Sequence, residues 1–274
     1  VFDFGKDFAN MQLIYFLKGN MNNIRKTTIW HIRRRVAVLV LAMLIVPLTS
    51  IAQNLRPGFN IFSPQQDYEI GQKSALVANR RLPTYTDARV IRIGRRLAST
   101  APGTRFPYEF RVINNSTINA FALPGGFIYV NRGALNAARS EDEVAAILAH
   151  EIAHVALRHG TNQASKAYIA QAGLNFITGL LGGESQSRIA QVMGMIGGFG
   201  LNTLFLKHNR LAESEADLLG IRMMRSAGYN PYGMIHFLQT IQRQSSEHSV
   251  EFLSSHPNPE NRIAQLEREL GRRR

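Results

Sequence analysis

The stretch Ser140–Gly160, SEDEVAAILAHEIAHVALRHG, decides how this chain is read. Ser140 suits a helix N-cap and Glu143 stands at the third helical position, the two halves of a capping box. Glu141, Asp142 and Glu143 put negative charge at the positive end of the helix dipole. Val144, Ile147, Leu148, Ile152 and Val155 recur at helical spacing, and Gly160 offers a stop. His150, Glu151 and His154 therefore fall mid-helix as HExxH. Residues four apart share a helix face, roughly 6 Å apart along the axis, so both imidazoles reach one tetrahedral zinc ion. Glu151, about a third of a turn from His150, is set beside the ion, where its carboxylate takes a proton from water rather than ligating. The competing picture is a helix with two half-buried histidines and a surface glutamate. It is set aside because the caps and the apolar face supply the structural context that the motif needs.

A 274-residue chain with 45% hydrophobic and 19% charged residues is globular and long enough for a substantial core. It has no cysteine, which excludes a disulfide framework and any thiolate-ligated zinc. The net charge of +13 suits acidic partners or an anionic membrane surface, and equally a solvated basic exterior. No basic motif interleaved with aromatics and no zinc-finger spacing points to nucleic acid.

The N-terminal region reads as a targeting segment. Met21 opens the basic MNNIRKTTIWHIRRR, an uninterrupted apolar run follows over Val36–Val46, and Ser50 and Ala52 are small residues at the −3 and −1 positions of a leader. The expected division is 1–52 as an upstream extension plus signal peptide and 53–274 as one domain starting at Gln53. The apolar run is short for a bilayer span, and an uncleaved anchor is the alternative to cleavage.

Helices are expected over Gln65–Arg80 and Asp87–Ser99, with Arg89, Arg92, Arg95 and Arg96 as a solvated face. A strand follows at Tyr108–Ile113, then two short strands within Asn119–Val130 around the turn Pro124-Gly125-Gly126. Beyond Gly160, Ala164–Leu206 is apolar and interrupted by glycine pairs, either a membrane-touching flap or a buried helical hairpin. Further helices are expected over Asn209–Ala227, Tyr232–Gln244 and Glu260–Leu270, with a loop at Glu251–Pro259. His159 and His208 are assigned structural roles.

A catalytic zinc takes three protein ligands and keeps one position open. The helix Asn209–Ala227 carries Glu213, Glu215 and Asp217. Glu213 and Asp217 are four apart and share a face, whereas Glu215 points elsewhere. Glu213 is the natural third ligand, and Asp217 the carboxylate that bonds a ligand imidazole and fixes its tautomer.

His150-Glu151-Ile152-Ala153-His154, Glu213-Ser214-Glu215-Ala216-Asp217 ahead of Gly228-Tyr229-Asn230-Pro231, and His256-Pro257 with Arg262 follow in the order seen in one family. With Asn119–Gly126 (NAFALPGG), they make the chain resemble the Ste24/HtpX-like zinc metallopeptidases from about Gln65 to Leu270. It looks nearest to their exported, BepA-like branch, without the tetratricopeptide repeats. The resemblance implies an α+β fold, a mostly helical zincin-like domain with a small antiparallel sheet whose edge strand borders the active site. It implies one Zn2+ per chain on His150, His154 and Glu213, with Glu151 as the base. Asn119, Ala120, Phe121, Ala122 and Leu123 would form the edge strand to which extended substrate pairs. His256 would either steady the oxyanion or occupy the fourth zinc position and hold the enzyme latent. Arg262 would reach the site or simply pair on the surface. The implied function is zinc-dependent endopeptidase action on unfolded or misfolded envelope proteins in the periplasm, with membrane-surface association open. The alternative is a zinc-stabilised holdase that captures unfolded chains and cuts little.

Overall fold

The computed structural model describes residues 55–178, 209–244, 252–257 and 259–271, with the side chains of 171–178 left aside. The targeting segment expected over 1–52, most of Ala164–Leu206, and His208 lie outside the described residues. Leu55–Arg274 group into one compact unit.

Local signals set the first elements. Helix α1, Pro64–Arg81, starts at a full capping box between Ser63 and Gln66, with proline at its first turn. Strand β1 is Thr84–Tyr85. Helix α2, Ala88–Ala98, is capped by Asp87, whose side chain accepts from the Val90 N–H. Strand β2, Glu109–Ile113, precedes β3, Ala120–Leu123, which turns through Pro124–Gly126 into β4, Phe127–Asn131. Gly125 sits at φ 76° in that turn, in the left-handed region that favours glycine.

The sheet order is β1-β2-β4-β3. It is mixed, which corrects the antiparallel sheet expected from sequence. β3 and β4 form an antiparallel hairpin and β1 runs antiparallel to β2, but β4 pairs with β2 in parallel. The loop after β2 carries the chain past the neighbouring lane. β3 is laid down at the outer edge, and the hairpin returns β4 between β3 and β2, necessarily parallel to β2. Alternating apolar residues define faces, not neighbours, so this order is silent in the sequence.

Every residue of β4 is buried because both faces of the sheet are covered. Phe127 and Tyr129 join Ile70, Ala75 and Ala78 of α1, together with Phe121 and Leu123. Ile128 and Val130 join Val112 and the central helix on the other side. Gly71 makes the α1 face possible, because a Cβ there would stand 1.7 Å from the Pro124 carbonyl oxygen.

A short helix α3, Arg132–Ala137, leads to the central helix α4, Glu141–Ala156. Ser140 caps α4 by accepting from the Glu143 N–H, the first half of the expected capping box, whereas the Glu143 carboxylate accepts from the Arg139 N–H at 3.1 Å rather than from that of Ser140. The helix is buried from Glu143 to Ala156 on all sides, not on one stripe. Alanines 145, 146, 149, 153 and 156 let its neighbours approach the faces that the apolar stripe leaves over. It ends before Gly160. Arg158 turns the chain at φ 57°, and Gly160 lies inside the next helix, α5, His159–Thr178. Helix α6, Arg210–Ser226, is capped by Asn209 and packs along α4. Helix α7, Tyr232–Gln244, a single turn α8, Phe252–Ser255, and α9, Pro259–Gly271, complete the unit. The α8 turn falls where the sequence suggests only a loop. Among the described residues, no helix is long and apolar enough to cross a membrane.

Candidate metal centre

Three elements bring their polar side chains to one buried point. α4 contributes His150, Glu151 and His154, the first turn of α6 contributes Glu213, and His256 follows α8. One ligand atom from each of His150, His154, Glu213 and His256 lies within 4.8 Å of all the others. The His150 and His154 Nε2 atoms are 3.0 Å apart. Glu213 Oε2 is 3.4 Å from His150 Nε2, and Glu213 Oε1 is 3.4 Å from His154 Nε2. His256 Nδ1 is 3.2 Å from His150 Nε2 and 3.0 Å from Glu213 Oε1.

These separations suit a metal. Four donors about 2.0–2.1 Å from a tetrahedral ion stand roughly 3.3 Å from one another. The donors are imidazole nitrogen and carboxylate oxygen, a borderline set that suits zinc. The tautomers agree as well. His150 Nδ1 lies 2.9 Å from Asp217 Oδ1, and a carboxylate only accepts, so Nδ1 carries the proton and Nε2 presents its lone pair. The two Nε2 atoms at 3.0 Å must have either a proton or a metal ion between them.

Burial and charge tune each group. Burial and the Arg262 charge disfavour protonation of His150, but Glu213 and Asp217 prevail and carry its pKa up to about 9. Burial works against the Glu213 carboxylate, yet His256, Arg262 and His150 hold it well below the ordinary range. Asp217 is lowered in the same way, with Arg262 overcoming burial. Glu151 goes up, because burial outweighs the positive groups around it. Its Oε1 is buried with no hydrogen-bond partner, 3.6 Å from His256 Nε2.

Asp217 sits where the sequence reading puts it, on His150. Arg262 does not lie on the surface. It is 4% exposed and forks onto Asp217 with two bonds of 2.7 Å, and its Nη1 lies 3.0 Å from Glu213 Oε2. His159, read as structural, has its Nδ1 2.9 Å from His154 Nδ1 and its Nε2 3.2 Å from Glu215 Oε2. Glu215 does point away from the four donors, as expected, but toward His159. The helical spacing of HExxH gives no sign of this contact, because His159 reaches back only through the left-handed turn at Arg158.

Among the described strands β3 is the edge, and it packs on α4. Ala122 and Leu123 line a small cavity shared with His154 and Arg158. Ala120, Phe121, Ala122 and Leu123 form the strand itself. Asn119 stands just outside it, though its carbonyl still accepts from the Asn131 N–H at 2.9 Å.

The model for peptidase family M48 matches residues 84–270. The chain is 30% identical over 239 residues to the beta-barrel assembly-enhancing protease of Escherichia coli (strain K12), covering 78% of this chain and 43% of that protein. The protein of that name from Yersinia pestis is 33% identical over 180 residues, 63% of this chain and 36% of its own length. Mitochondrial metalloendopeptidase OMA1 of Schizosaccharomyces pombe is 31% identical over 193 residues, 69% of this chain and 55% of the relative. The chain thus spans between about a third and just over half of the length of these curated relatives. With HExxH, the α6 carboxylates and the edge strand all inside the matched region, the chain belongs to peptidase family M48, as a metallopeptidase.

Proposed function

We propose that the chain is a zinc-dependent endopeptidase that cuts unfolded or misfolded envelope proteins, and that His256 holds it latent. One observation carries the reading. Three donors from HExxH and α6 converge, and beside them stands a buried glutamate oxygen with no hydrogen-bond partner among the described residues. In a structural site such an oxygen is a cost without return. In a hydrolase it is the base.

When bound, zinc polarises the scissile carbonyl and brings the pKa of a water to about 7. Glu151 accepts one proton from the attacking water as its oxygen bonds to the carbonyl carbon. The C–N bond then breaks as Glu151 returns that proton to the leaving nitrogen. The raised pKa of Glu151 suits both halves of this exchange. Extended substrate adds to the free edge of β3, whose Ala122–Leu123 end lies on the His154 side of α4.

His256 was open between two roles, and its contacts favour the latch. Its Nδ1 stands among the donors, not at a distance from them. The Phe252 ring, stacked on His256 with centroids 4.4 Å apart, holds it there. The location in the envelope rests on the leader-like residues 21–52 and on the barrel-assembly name of two relatives.

A digestion time course tests the reading. Full-length wild type, His256→Ala and Glu151→Gln are incubated with an unfolded protein and zinc. Slow cleavage by the latent wild type is expected, faster in His256→Ala, with Glu151→Gln keeping its zinc and losing at least about a hundredfold in rate. Equal zinc content with no cleavage by any of them, and retention of the unfolded chain, would favour the holdase.

A further inference from the structure

Two histidines on one helix need the same service: each must keep its proton on Nδ1 so that Nε2 offers a lone pair. For His150 that service comes from Asp217. For His154 the described contact at Nδ1 is of another kind. The atom there is another imidazole nitrogen, His159 Nδ1, at 2.9 Å. Two facing ring nitrogens at that distance share one proton, so one donates and the other accepts. If His159 donated, His154 would carry its proton on Nε2, the atom 3.0 Å from His150 Nε2, and could not ligate. The working arrangement is therefore His154 Nδ1–H donating to His159 Nδ1. His159 then carries its own proton on Nε2, which faces Glu215 Oε2 at 3.2 Å. The chain of bonds runs on to an acceptor-only carboxylate, which favours the proton on His159 Nε2.

The backbone is bent to make this contact. Arg158 is the one non-glycine residue at positive φ among those described, at φ 57°. That conformation is unfavourable for an L-residue. The Arg158 side chain offsets the cost by gripping Asp67 at 2.6 and 3.0 Å and the Phe62 carbonyl at 2.6 Å. The turn brings His159, only 8% exposed, back onto the helix it has just left, with its ring edge-on to His154. A hydrophobic ring would fill that space without requiring Glu215 behind it.

We infer that His159, oriented by Glu215, is a positioning residue for the metal centre, holding His154 in the tautomer and ring orientation that ligate. The inference rests on the proposed ligand set. Loss of such an outer partner typically weakens metal binding about 10–100-fold.

The test is zinc competition against a chelator of known affinity, on the full chain, with His159→Phe, His159→Asn and Glu215→Leu beside wild type. Phenylalanine keeps the ring and removes the acceptor, so its zinc Kd should rise about 10–100-fold. Asparagine places its Oδ1 near the position of Nδ1 and accepts the same proton, so it should return to within about threefold of wild type. Glu215→Leu, at a partly exposed position that tolerates substitution, should weaken zinc several-fold. Wild-type affinity in His159→Phe, or an asparagine variant as weak as the phenylalanine one, overturns the role. Should His159→Phe fail to fold, the asparagine and leucine variants still decide: tight binding in both refutes the outer link. If wild type itself binds no zinc, the ligand set fails and this inference falls with it, a result separable from tight binding in every variant.

Discussion

Arg262→Met removes the only guanidinium that the described residues bring to the centre while keeping most of the side-chain volume. Arg262 is 4% exposed and contacts Asp217 through two bonds of 2.7 Å and Glu213 at 3.0 Å. Its pKa is raised: burial works against the charged form, and Asp217, Glu213 and Glu151 outweigh it. Removing one partner of a buried pair leaves an uncompensated charge and costs about 3–5 kcal/mol. A domain of this size loses about 2–4 °C of Tm per kcal/mol, so the variant should melt roughly 6–20 °C lower. The loss is smaller than a typical folding free energy of about 5–15 kcal/mol, so the protein still folds. Melting is followed by circular dichroism with a chelator present, because bound metal would shift Tm by mass action. The cause is checked by Arg262→Met/Asp217→Asn. With the nearer carboxylate also neutralised, the double variant should be more stable than the two single losses predict, by about 1–3 kcal/mol. A fall in Tm below about 2 °C, or additivity within about 0.5 kcal/mol, refutes the claim that Arg262 compensates buried carboxylates.

Gly71→Ala forces a Cβ to within 1.7 Å of the Pro124 carbonyl and should cost about 1–3 kcal/mol in urea melts, with an unchanged m-value. His256→Ala should speed cleavage of an unfolded substrate and weaken zinc binding. A hundredfold slower turnover with zinc retained would instead assign His256 to the oxyanion. Zinc binding should release about one proton near pH 7.5, because His150 is protonated below its pKa of about 9 and must be neutral to ligate. Apparent zinc affinity should then rise about tenfold per pH unit from 7 to 9, and calorimetry in buffers of different ionisation enthalpy that finds no proton release would contradict it.

The pairs at helical spacing were the legible part of this chain. His150 with His154, and Glu213 with Asp217, each lie four apart on a capped helix, so their common faces follow from geometry alone. The burial of α4 on every side was less visible, because alanine marks close approach only once the neighbours are known. The lane order of the sheet was invisible for a different reason: β2 and β4 become neighbours through the path of the Asn114–Asn119 loop, and no residue pattern records that. Arg262 reads as a surface arginine on an amphipathic helix until the two carboxylates of α6 are placed against it. His159 is the clearest case. Its role depends on one left-handed residue, and arginine is an unusual choice there, stabilised by Asp67 and Phe62 far upstream.

Charge balance ties these pieces together. Glu151, Glu213 and Asp217 are buried to within 2% exposure, and one guanidinium answers them. With neutral imidazoles the centre carries two negative charges in excess. Water cannot screen them at that depth, and the strain shows on His150, whose pKa is driven up to about 9. A divalent cation held by His150, His154 and Glu213, the proposed ligands, would cancel that excess. Arg262 sets that balance. Without it the three buried carboxylates would lose the guanidinium that bonds two of them. A second cation in the centre would instead compete with the metal for Glu213. The Arg262 guanidinium, 2.7 Å from Asp217 and 3.0 Å from Glu213, offsets one of the three buried carboxylates and leaves an excess that a divalent ion would match.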